Sequence, residues 1–187
     1  MLEDIFDYIE TIRERPVWQP IPDAERAHFR TPVPREGSDL AAVHDEFVQH
    51  ILPYATGNTH PGFMGWVHGG GSVPGMLAEM LAAGLNANLG GRDHMPIEVE
   101  RQITRWLSQL FEFPGTATGL FVTGTSMANL LGVLIASRRA LGLDVRRNGV
   151  AAGHKHLVAY ASAAAHGCIA QAMDLSGLGT AALRVIP

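Results

Sequence analysis

Gly124, Thr125 and Ser126 stand where a short apolar run, Leu120, Phe121 and Val122, gives way to a helical pattern through Leu130, Leu131, Leu134 and Ile135. Strand, tight turn and helix in that order leave unpaired N–H groups at the helix start, and the helix dipole adds partial positive charge there. An anion such as phosphate is favoured at that point, and the two hydroxyls can donate to it. Ser and Thr also serve as plain caps at many helix starts, so the turn by itself leaves both uses open. His166 follows a second apolar run, Leu157 to Ala161. Ligands of parallel sheets bind beyond the carboxyl ends of strands, which places this imidazole on the same crevice as the anion turn. There it can stack on a planar heteroaromatic ring whose phosphate lies at Thr125 and Ser126, although a lone histidine is as readily a satisfied structural residue.

Three other arrangements compete. Gly124, Ser126 and Ala128 read GxSxA, one residue from the nucleophile elbow of hydrolases, with Ser126 as nucleophile and His166 as base; the second glycine is absent and no convincing acid follows. The GK[ST] ending of a P-loop is missing. His154 and His156 have no third ligand nearby, so no metal is expected there and a solvated loop is. Lys155 is the only lysine, and chemistry that needs one must use it or do without.

The elements that must position these residues belong to a well-buried globular protein: 187 residues, 47% hydrophobic and 17% charged. A formal net charge of -4 offers no basic face for nucleic acid. One cysteine, Cys168, excludes an internal disulfide and fits a reducing compartment. Met1 is followed by Glu3, Asp4 and Asp7 rather than by a signal segment, and no apolar run is long enough to span a bilayer. The expected location is therefore cytoplasmic, away from any membrane.

Leu2 to Arg15 reads as an amphipathic helix with Leu2, Ile5, Phe6, Ile9 and Ile12 on one stripe, ended by Pro16. An extended, proline-rich connector is expected from Val17 to Gly37. Ser38 then caps a helix over Asp39 to Leu52. In HPGFMGWVHGGGSVPG, from His60 to Gly75, aromatic and apolar residues interleave with glycines, the mark of an ordered loop at a pocket or interface. Pro74 opens a helix to about Leu89, and Ile97 to Phe111 forms another that buries Ile103, Trp106, Leu107 and Leu110. Beyond the central helix come a strand over Leu157 to Ala161, a helix over Ala165 to Leu175 and a strand over Leu183 to Ile186. Alternating strands and helices imply parallel pairing with right-handed crossovers. Three strands make an incomplete sheet, the front portion of a larger α/β fold.

GTSMANLLGVL resembles the GGSMANL phosphate-binding turn of the group II pyridoxal-phosphate-dependent amino acid decarboxylases, the family of aromatic amino acid, histidine and glutamate decarboxylases. HPGFMGWVHGGGSVPGMLAEMLAAGLN is similar to that family's substrate loop, IEVERQITRWL to its ELE-type helix, and YASAAAHGCIAQA to the segment ending in its ring-stacking histidine. The four pieces stand in the family's order, and the resemblance extends over nearly the whole chain. The resemblance implies a helical N-terminal arm and substrate loop over 1–72, and over 73–187 the first part of a PLP-dependent transferase-like (fold type I) large domain. It implies pyridoxal 5'-phosphate as cofactor, with its phosphate at Thr125 and Ser126, and His166 as the catalytic, ring-stacking residue. By the same carry-over Trp66 and Val67 fall on substrate-pocket positions. Asn86 and Asn88 correspond to residues that reach the neighbouring subunit's pocket, since family members are dimers. Thr125 stands where glycine or alanine is usual. The family's cofactor-binding lysine and its aspartate for the pyridine nitrogen lie downstream of the segment matching RVIP, and Lys155 corresponds to neither. The expected function is decarboxylation of an L-amino acid by the complete enzyme, with these 187 residues inactive alone and pairing with a second copy or a complementary C-terminal fragment. A non-catalytic dimerisation fragment is the other expectation.

Overall fold

In the computed structural model, residues 1–187 are described except 56, 68, 89, 91, 92, 143, 153 and 154. His68, the Leu89 end expected for the helix after Pro74, and His154 therefore lie outside the described residues. The chain forms two compact units, Met1–Asn88 and Leu89–Pro187.

In the first unit, α1 (Leu2–Glu10) carries Glu3 and Asp4 in its first turn, where they oppose the helix dipole. It stops short of the expected Arg15; a 3-10 turn over Ile12–Glu14 takes over and buries Ile12. The connector is not wholly extended. Pro22 precedes a short helix, α2 (Asp23–His28), with acids in its first turn and Arg26 and His28 in its last, a charge order that suits the helix dipole. Before α2 the chain is tied down: Gly57 N–H donates to Val17 O at 3.0 Å and Gln19 Nε2 to Pro53 O at 2.7 Å. A side chain at Gly57 would meet Val17 O at 2.4 Å, so only glycine allows this approach.

The helix expected over Asp39 to Leu52 is broken into three. α3 (Leu40–Glu46) runs into a π-helical turn, Phe47–Ile51, and a 3-10 turn, Leu52–Tyr54. Asp39 rather than Ser38 occupies the capping position, without a side-chain cap bond. Pro53 lacks the N–H that α-helix continuation requires, which accounts for the change of winding. α4 (Val73–Leu85) starts as expected, with Pro74 in its first turn and Ser72 Oγ accepting from Gly75 N–H at 3.2 Å. It ends at Asn86, whose left-handed backbone (φ 45, ψ 44) terminates the helix.

In the second unit, α5 (Met95–Leu110) has Pro96 in its first turn. Its stripe is less covered than expected, since Trp106 and Leu110 are 60% and 74% exposed and no described element closes over them. The run Leu120 to Val122 is not a strand. A strand needs a neighbour, and here Phe121 N–H donates instead to the Glu100 carboxylate at 2.8 Å, with Leu120 and Phe121 left on an open apolar groove beside Leu107, Phe111 and Phe113. α6 (Gly124–Leu141) follows, then a short α7 (Val145–Asn148). β1 (Ala159–Ser162), α8 (Cys168–Leu175) and β2 (Leu183–Ile186) form a strand, helix, strand unit. β1 and β2 pair in parallel, Ala159 opposite Leu183 through Ser162 opposite Ile186. The sheet thus has two described strands rather than three. The core of this unit is the α6–α8 contact, where Cys168, Ala172 and Met173 are buried.

Candidate functional site

α6 opens on Gly124 at φ +76, a conformation that L side chains resist, with free space around its Cα. Thr123 is the capping residue, and no side chain caps the helix. The hydroxyls of Thr125 and Ser126, both exposed, make no hydrogen bond among the described residues. The local chemistry is thus a first helical turn with N–H and O–H donors to spare. That is the opposite of a capped helix start, where the same hydroxyls would be spent on the backbone.

The same end of α6 is locked to the start of α8. Asn129 Nδ2 donates to Cys168 Sγ at 3.3 Å, and farther along, Met173 lines one cleft with Val133, Ser137 and Ala140. The two helices therefore run in the same direction, with their positive ends together. Cys168 N–H donates to Nδ1 of His166 at 3.2 Å, so the neutral ring carries its proton on Nε2. Upstream, Ala163 N–H bonds to Ile186 O at 2.8 Å and Ala164 N–H to Ser162 Oγ at 3.1 Å, so the turn from β1 toward His166 is itself pinned. The result is an exposed imidazole on a fixed turn, one helical turn of α6 plus a two-residue step from Ser126.

Ser126 has no base partner, and Nδ1 of His166 is engaged by its own backbone. A serine nucleophile needs a base within hydrogen-bond reach, so the GxSxA hydrolase reading finds no support. Asn129 and Cys168 join the two candidate segments by a contact that the sequence did not announce. Its trace was a polar Asn one turn after Ser126, at the head of the apolar stretch Leu130 to Ala136.

The remaining candidates stand in the first unit. Trp66 (φ 48) is 79% exposed, its ring 6.0 Å from Phe63, and Val67 is exposed beside it. Asn86 ends α4 and Asn88 follows two residues later, exposed. Lys155, for its part, donates from Nζ to Ala140 O at 3.3 Å. No helix among the described residues is long and apolar enough to cross a membrane.

Residues 22–187 match the pyridoxal-dependent decarboxylase conserved domain. The chain is 31% identical over 146 residues to an aromatic-L-amino-acid decarboxylase of Bacillus atrophaeus, covering 75% of this chain and 30% of the relative. It is 33% identical over 155 residues to an L-2,4-diaminobutyrate decarboxylase of Rhizobium meliloti, covering 78% and 31%. Among solved structures, Catharanthus roseus tryptophan decarboxylase in complex with L-tryptophan is similar at a TM-score of 0.82 and 25% identity, over 100% of this chain and 41% of that one. Oryza sativa TDC with PLP and tryptamine has the same fold at a TM-score of 0.81 and 24% identity, over 100% and 42%. The chain thus spans less than half the length of these relatives, and it belongs to the pyridoxal-dependent decarboxylase family.

Proposed function

We propose that this chain supplies the cofactor-anchoring N-terminal portion of an enzyme that decarboxylates an L-amino acid. The observation that carries the reading is the uncapped start of α6, where Gly124 turns the backbone and the hydroxyls of Thr125 and Ser126 have no other partner. Those residues fit the phosphate of pyridoxal 5'-phosphate: backbone and hydroxyl donors converge on the positive end of a helix of 18 residues. Thr125, in place of the smaller residue usual in the family, adds a free hydroxyl to the set. When bound, the cofactor supplies an electron sink for loss of the substrate carboxylate as CO2. His166, oriented through Nδ1 by the Cys168 N–H, would offer its imidazole face to the pyridine ring. The Asn129 to Cys168 link keeps that imidazole in register with the anion turn.

Trp66 and Val67 contribute to the substrate pocket, and Asn86 and Asn88 to the pocket of a second copy. In this division 1–72 serves as arm and substrate loop and 73–187 as the start of the cofactor domain. Dimerisation, or pairing with a complementary fragment, is favoured by the α4 stripe: Leu77, Met80, Leu81 and Leu85 are exposed. A cytoplasmic setting fits the buried free thiol of Cys168. Lys155 is given no covalent role, and the 187 residues alone are expected to release no CO2.

The test is binding of pyridoxal 5'-phosphate against pyridoxal, followed by ligand absorbance. A few charge-assisted hydrogen bonds to phosphate give an affinity no better than about micromolar. Pyridoxal should bind far more weakly, and Ser126→Ala should weaken only the phosphorylated ligand. Equal binding of the two would mean that the turn is no anion site.

A further inference from the structure

In the first unit, Glu25 and His28 lie one turn apart on α2, and Glu46 and His50 four residues apart across the end of α3 and the π turn. The two pairs interlock crosswise. His28 Nε2 and Glu46 Oε2 are 2.6 Å apart, His50 Nδ1 and Glu25 Oε2 2.7 Å, and the two imidazoles stack with centroids 4.2 Å apart and planes at 21°. One ligand atom from each of His28, Glu46 and His50 lies within 4.8 Å of the others.

Charge makes this arrangement incomplete. With both rings neutral, two carboxylates share the cluster and no arginine or lysine pairs with either among the described residues. Protonating both rings would cancel that charge but place like charges face to face at 4.2 Å. A divalent ion cancels both negative charges without that repulsion, and two imidazoles with carboxylate oxygen suit zinc and its neighbours over magnesium or calcium. We propose that His28, Glu46 and His50 bind a divalent transition metal ion of the zinc class and so tie α2 to the end of α3. Glu25 keeps Nδ1 of His50 and leaves its Nε2 to the ion, the carboxylate and imidazole pairing that orients metal-bound histidines. Tetrahedral coordination at bond lengths of about 2.0–2.1 Å needs ligand atoms about 3.3 Å apart. Rotation of Glu46 and His28, whose side chains are 50% and 39% exposed, supplies that closure.

The test uses the tag-free chain and Co2+ as a spectroscopic probe, with Zn2+ as competitor; neither readout involves the decarboxylase cofactor. One equivalent of Co2+ should give the strong visible bands of tetrahedral coordination, and Zn2+ should abolish them. His28→Ala and His50→Ala should each remove the bands, Glu25→Gln should weaken Zn2+ binding by about 10-fold or more, and His156→Ala should change nothing. Because the alanine variants also lose a hydrogen bond, Zn2+ protection of His28 and His50 from diethyl pyrocarbonate is measured in the unaltered chain by mass spectrometry. The weak spectrum of hydrated Co2+, bands that survive His50→Ala, or absence of protection would overturn the site.

Discussion

Between α6 and α8 the second unit buries Met173 and Ala172 to 1% exposure, whereas the helices of the first unit are joined by polar pairs: His44 to Asp4, His28 to Glu46 and His50 to Glu25. Apolar burial holds its elements whatever the pH and needs no polar side chain, so the hydroxyls of Thr125 and Ser126 are left free at the helix start. In the first unit three imidazoles are each committed to a carboxylate. Free donors on a packed scaffold suit an anion that comes and goes; committed donors suit a joint. The same residue type, histidine, thus pairs with carboxylates at 28, 44 and 50 but stands exposed at 166, held through Nδ1 by the Cys168 N–H.

The largest effect should come from breaking the packed side. Met173→Ala removes a side chain with no solvent access and should cost about 2–5 kcal/mol. Thermal melting followed by exchange of α6 and α8 amides would show the loss confined to residues 89–187. Equal loss in both units would mean that they do not stand on separate supports. Next in size, Gly124→Val forces a branched side chain to φ +76 and should cost about 1–3 kcal/mol, with loss of pyridoxal 5'-phosphate binding. Gly132→Ala, within α6 and with open space around it, should do the reverse and stabilise by about 0.5–1 kcal/mol without touching ligand binding. The two glycines of one helix thus separate conformational need from tolerance, and stabilisation by both substitutions would remove the argument for Gly124.

Most of the second unit was legible in the sequence because its signals are local. The spacing of Leu157 to Ile186 gave a strand, helix, strand unit with parallel pairing, and in the first unit Pro74 likewise marked the first turn of α4. What failed depended on neighbours. Leu120 to Val122 has strand composition but no pairing partner among the described residues, and Glu100 takes the Phe121 N–H instead. Trp106 and Leu110 have helical periodicity but no element over them. The candidate site was half legible: the turn residues Gly124, Thr125 and Ser126 mark the start of α6 through composition, while the Asn129 to Cys168 contact joins positions 39 apart that no pattern connects. The His28, Glu46 and His50 cluster was invisible for the same reason, since α2 was hidden in a proline-rich connector.

Acid should produce the smallest and most selective effect, and it tests the polar side of the comparison. The charged N-terminus and then His44 hold the Asp4 carboxyl down to about 2, and the His28 hydrogen bond lowers that of Glu46. A carboxyl whose value is depressed in the folded state stabilises that state above its unfolded value, and the contribution is lost as pH falls toward the folded one. The window therefore runs from about 4.5 downward for Glu46 and from about 4 to about 2 for Asp4. Both carboxylates are exposed, so the expected outcome is local opening rather than global unfolding. Amides of α1, α2 and α3 should lose protection in that range while those of α6 and α8 do not, as read by exchange at quenched time points. Glu46→Gln should remove the upper part of the response and leave the Asp4 part. Simultaneous opening of both units, or a response that Glu46→Gln leaves whole, would show that the polar pairs are surface decoration and that another force joins α1, α2 and α3.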